Sequence, residues 1–336
     1  MPSRWKRIRY RLEWLGLLLA AKLIPLLSRK ACQRLAQIGG GLMSIFDRHG
    51  CQVALSNLEV AFGDRFSIKE RRKIVRQSFQ HFAGTMIDLF WSPRLTRENF
   101  SRYIEWQNFE ETGPETRAEH SVIIACYHYS NFEWLSLACG FLDLKGTIIM
   151  QEFKNSLLDR IFKKLREQSG HMFIPRGRSL LRLLKALRRK RSTALLIDLT
   201  VPPTQAGAVA IDCFGLKTSA TSAHAWLHEQ TGAPVIPAHC EPLPDGRYRI
   251  IFHPKIDATV GMTHQQIAQA CWDSFEPYVR KNPAPWLWAY KHWRYRPTNA
   301  DRAYPFYANP FRRFDEMLQR DKTSSASEQR GLTRMP

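Results

Sequence analysis

An α/β fold, with a mixed but largely parallel sheet flanked by helices, is predicted by three features of this sequence. Between about residues 120 and 200, short apolar runs alternate with segments of helical periodicity, the order that builds parallel β-α-β units. Residues 30 to 100 are patterned as helices with few strand signals. After Gly232 a long strand-like stretch is interrupted by Pro244-Asp245-Gly246, which reads as a hairpin.

The elements follow in order. Arg4, Lys6, Arg7, Arg9 and Arg11 precede the apolar run WLGLLLAAKLIPLL at 14 to 27. A helix that crosses the hydrocarbon core needs about 20 apolar residues; this run is shorter and holds Lys22 and Pro25. A signal peptide starts similarly, but Arg29, Lys30 and Arg34 continue the basic character and no convincing small-residue cleavage site follows. Residues 1–30 are therefore expected to be a helical membrane anchor, lying in a cytoplasmic interface or making one strained span. The alternative is an amphipathic helix packed on the protein's own core.

Residues 31–310 are read as one α/β domain whose first part, 31–118, is helical. There SIKERRKIVRQSFQHFAGTMIDLF offers Ser67 as a cap with Glu70 three residues on, a capping box. SVIIACY, KGTIIM, HMFIP and TALLID are the strands, and NFEWLSLACGFL, NSLLDRIFKKLREQSG and SLLRLLKALRRKRS the helices between them. Beyond Asp198 comes an irregular Pro-, Gly- and Thr-rich loop, then the helix TSAHAWLHEQTG, the hairpin and a last helix, THQQIAQACWDSFEPYVRKN. The aromatic stretch PWLWAYKHWRYRP follows. Residues 311–336 form a polar tail, expected to be partly disordered.

The 336 residues, 44% hydrophobic, carry a formal net charge of +20. That excess asks for an acidic partner: nucleic acid, an anionic membrane, or an acidic carrier protein or lipid. The seven cysteines are scattered with no C-x-x-C, so neither a disulfide framework nor a zinc ribbon is expected. His224 and His228 stand at i and i+4, but the glutamate follows the second histidine, so the metalloprotease pattern fails. No cofactor or metal is expected.

Chemistry concentrates in ACYHYSNFEW, 125 to 134. His128 follows a buried strand, and its carboxyl end is where open α/β sheets bind ligands. Ser130 and Glu133 fit a capping box on the next helix. Glu133 is also near enough in sequence to reach the far ring nitrogen of His128 and stabilise its imidazolium, while adjoining N–H groups could cradle an oxyanion. Such a pair suits attack by a substrate hydroxyl on an activated acyl group; there is no G-x-S-x-G nucleophile elbow.

HYSNFE after an apolar strand resembles the H-x-x-x-x-E motif of the glycerolipid acyltransferase superfamily. More closely, the chain resembles the late acyltransferases of lipid A biosynthesis and the mycobacterial relatives that acylate phosphatidylinositol mannosides. The resemblance runs from about Asn57 to Pro297, through SNLEVAFGDRFSIKERRKI, LLDRIFKKLREQSG, LLIDLT, FGLKTSATSA, LHEQTGAPVIP and PWLWAYKHWRYRP. It implies an acyltransferase-like fold, His128 as general base and Glu133 as its partner. It also implies Arg166 binding a substrate phosphate or the thioester region, with Asp198 shaping the same pocket beside Ser130 and Asn131. Read alone, Arg166 could be a solvated helix face and Asp198 a strand-end turn. The sequence departs from the family pattern at Leu199-Thr200-Val201, and at Tyr290-Lys291-His292, where the family has H-R-R.

The implied activity moves a fatty acyl group from an acyl thioester, expected on acyl carrier protein, to a hydroxyl of a lipid A precursor at the cytoplasmic face of the inner membrane. The alternatives are another glycolipid or phospholipid acceptor, or a non-catalytic membrane-binding protein. Lys154 to Arg191 hold thirteen Lys/Arg against Asp159 and Glu167, a surface suited to an acidic carrier or lipid headgroups; a nucleic-acid partner is not expected. Arg188 to Arg191 and Lys163, Lys164 and Arg166 are expected to flank the pocket mouth.

Overall fold

The computed structural model describes residues 4–109, 121–258 and 261–320. Four helices come first: α1 Arg4–Leu23, α2 Arg29–Phe46, α3 Arg48–Phe62 and α4 Ile68–Trp91. The capping box at α4 is formed as the sequence predicts, with Ser67 Oγ accepting from Glu70 N–H and Glu70 Oε2 accepting from Ser67 N–H at 2.8 Å. α2 lies against α4 closely enough that a Cβ on Gly40 would collide with the Gln80 backbone. Glycine there sets the spacing of the pair.

The α/β part follows as β1 Ile104–Gln107, β2 Ile123–Cys126, α5 Phe132–Phe141, β3 Gly146–Met150, α6 Ser156–Glu167, β4 Met172–Pro175, α7 Ser179–Arg188 and β5 Ser192–Leu196. Then come β6 Ala208–Cys213, β7 Leu216–Thr221, α8 Ala223–Thr231, β8 Val235–Pro242, β9 Tyr248–Phe252 and α9 His264–Lys281. Seven strands form one sheet in the order β1-β9-β8-β2-β5-β3-β4. β8, β2, β5, β3 and β4 are parallel; β9 runs antiparallel to β8, and β1 runs with β9. The mixed, largely parallel sheet is the one expected.

Side chains around β2 alternate between two cores, as a strand's two-residue period requires. Ile123, Ala125, Tyr127 and Tyr129 enter a core with α8, α9 and Trp286, Trp288 and Trp293. Val122, Ile124 and Cys126 enter another with Trp91, Trp134 and Phe252. The chain leaves β2 for β3 and β4, and then returns to lay β5 between β2 and β3. β2 and β5 therefore meet where the strand order reverses, which opens a crevice beyond their carboxyl ends.

Three expectations change. The loop after Asp198 holds an antiparallel hairpin, β6 with β7, turned by Phe214 and Gly215, both at positive φ (54° and 75°). That is the backbone sense such a turn needs, but Phe-Gly is not a familiar signal for it. Residues 312–320 of the expected tail are helical, and Phe314 and Met317 pack on Ala210; residues 321–336 lie outside those described. At the N-terminus, no described helix is long and apolar enough to cross a membrane. α1 is docked instead: Trp14, Leu17, Ala20 and Ala21 pack against Leu89, Phe90, Leu158, Phe162 and Leu165, and Asn155 Nδ2 donates to Tyr10 O at 2.9 Å.

Candidate active site

The last register pair of β2 and β5 is Cys126 with Leu196, and Ile197 N–H still bonds Cys126 O at 2.9 Å. Two residues further along both strands, the next positions on the same face are His128 and Asp198. Their side chains meet: His128 Nδ1 is 2.8 Å from Asp198 Oδ1. Asp198 Oδ2 accepts the His128 backbone N–H and the Trp286 indole N–H, each at 2.9 Å. The carboxylate is thus fully occupied on its protein side, and its side chain is wholly buried while that of His128 is 12% exposed.

The electrostatics follow from this packing. Burial alone would push the Asp198 carboxyl up, but the His128 ring, with His292 and the Trp286 N–H, outweighs it and holds the group below its ordinary value. A depressed folded value stabilises the fold above the ordinary aspartate range and loses that stability as pH falls through it. Asp198 therefore stays ionised at neutral pH, fixes the proton on His128 Nδ1 and leaves Nε2 as an acceptor. Behind Asp198, the His292 ring stacks on Trp286 at 3.9 Å and gives Nε2–H to Leu287 O at 2.9 Å. Burial lowers its pKa to about 4, so a neutral ring backs the site.

Glu133, expected beside His128, faces elsewhere. Arg166 forks it, with Nη2 2.5 Å from Oε1 and Nε 2.9 Å from Oε2. The acid on His128 is Asp198, seventy positions away in sequence, and Arg166 pairs with Glu133 through Nε and Nη2. Nor do Ser130 and Glu133 form a capping box: α5 is capped by Asn131, whose Oδ1 accepts from Trp134 N–H at 3.0 Å. Asn131 is fully buried, with its Nδ2 given to Asp88 at 2.9 Å, so neither end is left for a substrate. Ser130 is 4% exposed. Around this turn the N–H groups of 128, 129, 130, 132, 134 and 135 are already taken, by Asp198, Tyr127 O, Pro285 O, Ser130 O, Asn131 Oδ1 and Asn131 O.

The Glu133–Arg166 pair is nearly buried, at 5% and 17% side-chain exposure. Removing one partner of such a pair strands the other charge, at about 3 kcal/mol. Glu133→Gln is expected to lower stability by about that much, read from urea unfolding; an unchanged midpoint would show that the pair contributes nothing to folding.

The two departures from the family pattern meet at this site, since Tyr290 O–H bonds Thr200 O at 3.2 Å. Buried His292 offers no phosphate contact. Among the described residues, no group of three or more His, Cys, Asp or Glu is placed to hold a metal ion. His224 is fully buried, and burial lowers its pKa to about 4.

A family model for bacterial lipid A biosynthesis acyltransferases matches residues 3–295. The chain belongs to that family. Comparison with curated proteins gave no match. Membership makes the protein an acyltransferase with an acyl donor and a lipid acceptor, and the His128–Asp198 pair stands at the carboxyl ends of β2 and β5.

That placement corrects the expected docking surface. Arg188–Arg191 precede β5, and Leu187 O receives Ser121 Oγ–H just before β2. This run lies at the opposite end of the sheet from His128, about 16 Å away along a five-residue strand. The basic residues on segments leaving the carboxyl ends of β3 and β4 are Lys154, Arg176, Arg178 and Arg182, all exposed.

Proposed function

We propose that this acyltransferase moves a fatty acyl group from a carrier-bound thioester to a hydroxyl of a lipid A precursor, with His128 as general base and Asp198 as its partner. The contact that supports this reading is the 2.8 Å pairing of His128 Nδ1 with Asp198. Nε2 takes the acceptor hydroxyl's proton as the oxygen attacks the thioester carbonyl. The tetrahedral intermediate collapses, its C–S bond breaks, and the leaving thiolate recovers the proton from the imidazolium. No protein nucleophile enters the balance.

An acidic carrier would dock on Lys154, Arg176, Arg178 and Arg182, whose charge steers association. Purified enzyme is tested with a lipid A precursor and either carrier-bound or coenzyme A-bound donor, the product read by mass spectrometry. Reversing Arg176, Arg178 and Arg182 to glutamate is expected to raise KM for the carrier donor at least about tenfold and leave the smaller donor nearly unchanged. Equal losses with both donors would place the carrier elsewhere, and no acylated lipid with either would end this reading of the substrates.

We also propose attachment to the cytoplasmic face of the inner membrane, lying on it rather than crossing it. α1 turns Trp5, Ile8, Leu12, Leu15, Leu19 and Leu23 outward, with Trp5 82% exposed. These positions form one helical stripe among exposed Arg4, Arg7 and Arg9. α2 adds Leu35, Ile38, Leu42, Ile45 and Phe46, the last 80% exposed. Apolar stripes edged by arginine suit an anionic interface. Leu12→Glu with Leu15→Glu and Leu19→Glu should move most of the protein off phosphatidylglycerol vesicles in a flotation assay; undiminished flotation would exclude α1 as the contact.

A further inference from the structure

α4 passes behind the turn that carries His128, and two of its side chains one helical turn apart hold that turn. Thr85 Oγ1 donates to Ser130 O at 2.8 Å, and Asp88 Oδ2 accepts from Asn131 Nδ2 at 2.9 Å. Ser130 sits between them at φ 49°. For a residue with a Cβ this costs on the order of 1–3 kcal/mol and persists only where the surroundings impose it. Its N–H is pinned as well, to Pro285 O at 2.9 Å.

Asp88, 3% exposed, collects donors from three other elements. Arg29, the first residue of α2, reaches both carboxylate oxygens, at 2.5 and 3.1 Å. Tyr248 of β9 donates its hydroxyl at 2.7 Å. Asn131, the cap of α5, donates its amide. The Asp88 carbonyl in turn accepts the Trp134 indole N–H at 2.9 Å. The Arg29 guanidinium lies 4.9 and 4.6 Å from the Trp91 and Trp134 ring centroids, a stacked and desolvated placement for a cation.

An apolar side chain could fill this space without the desolvation that burying an ion pair entails. What a carboxylate adds is the ability to hold several donors in fixed directions. The consequential donor is Asn131. Its Oδ1 caps α5 while its Nδ2 is held by Asp88, so the side chain is fixed at both ends. Between that anchor and the β2 ladder lie only Tyr127 to Ser130, and His128 is one of these four.

We propose that Asp88 is a positioning residue for acyl transfer, setting His128 through Asn131 and joining α2 to the catalytic turn without touching substrate. The inference rests on His128 being the base. A merely structural Asp88 would fasten α2 to α4 and affect only stability. A positioning Asp88 must appear in kcat, because small misplacements of a base cost up to about 100-fold.

The experiment uses the full chain with Asn131→Asp, Asp88→Asn and the two combined. Asn131→Asp keeps the capping oxygen but sets two carboxylates against each other. It is expected to lower kcat by about 10- to 100-fold with KM little changed. The combined variant restores one amide and one carboxylate with their places exchanged and net charge preserved. It is expected to regain most of the lost kcat, a coupling that a double-mutant cycle isolates. Wild-type kcat in folded Asn131→Asp overturns the proposal. So does a combined variant that recovers Tm without recovering kcat, and this comparison serves where the single variant does not fold. His128→Ala run in parallel separates the two failures: if it is active, the reading of the base fails rather than that of its support.

Discussion

Asp198→Asn is expected to remove nearly all acyl transfer while leaving the protein folded. The carboxylate is buried and receives the His128 ring, the His128 backbone N–H and the Trp286 indole. An asparagine of the same shape can keep two of those bonds. If its amide turns toward the ring, it presents an N–H to Nδ1, so Nδ1 becomes the acceptor and the proton moves to Nε2. The nitrogen facing the crevice then cannot take a proton. The imidazolium formed during the reaction also loses its counter-charge. The same change behind the histidine of a Ser-His-Asp triad costs about 10⁴-fold in kcat, and a loss of about 10²- to 10⁴-fold is expected here. Single-turnover acyl transfer measures it. Turnover within about threefold of wild type would reduce Asp198 to a packing role.

His128→Ala is the second large effect. General-base catalysis contributes about 10²- to 10⁴-fold, and the loss of kcat should be at least 100-fold by that measure. The ring packs edge-to-face on Phe132, at 4.9 Å between centroids, and its removal leaves the buried Asp198 carboxylate without its ring partner, so thermal stability should fall as well and kcat is compared on folded protein. The pair also makes a sharper prediction. With the base already gone, adding Asp198→Asn should reduce the rate no further, because the acid acts through the histidine; such units are strongly non-additive. A double variant losing the product of the two single effects would separate their roles.

Much of this was legible in the chain itself. SVIIACY became a strand because it is buried on both faces, which leaves an unbroken hydrophobic signature, and TALLID carries the same apolar run although Leu196 is exposed. His128 could be singled out because a polar residue directly after such a run must lie at a strand end. Its partner was harder to find. Glu133 is five positions from His128 in the chain, and proximity in sequence suggested a pair. Asp198 is nearer in space because β5 inserts beside β2, and strand order is set by the packing of every helix on the sheet, not by a local pattern. The signal available was that His128 and Asp198 each stand two residues beyond an apolar strand. Ser130 misled for a related reason. Ser-x-x-Glu is a cap signature, yet Asn131 won the position because Asp88 holds its amide from a separate helix. The β6–β7 hairpin was hidden by Phe214, an aromatic residue at positive φ that is held from α9, with Arg280 4.7 Å over its ring.

The strand order has a consequence in time. β2, β3 and β4 are made before β5, yet β5 lies between β2 and β3. While the chain is being synthesised, the strand bearing His128 therefore waits with an open edge until seventy further positions have been added. At 5–20 residues per second that wait is on the order of 4–14 s. Throughout it, two apolar strands destined to flank β5 stand with unpaired backbone groups, the condition in which strands join wrong partners. The site cannot exist before this gap is filled, because its two halves arrive on either side of it. Recovery of activity on refolding should thus report the entry of the central strand, and lag behind any signal from the helices that precede it.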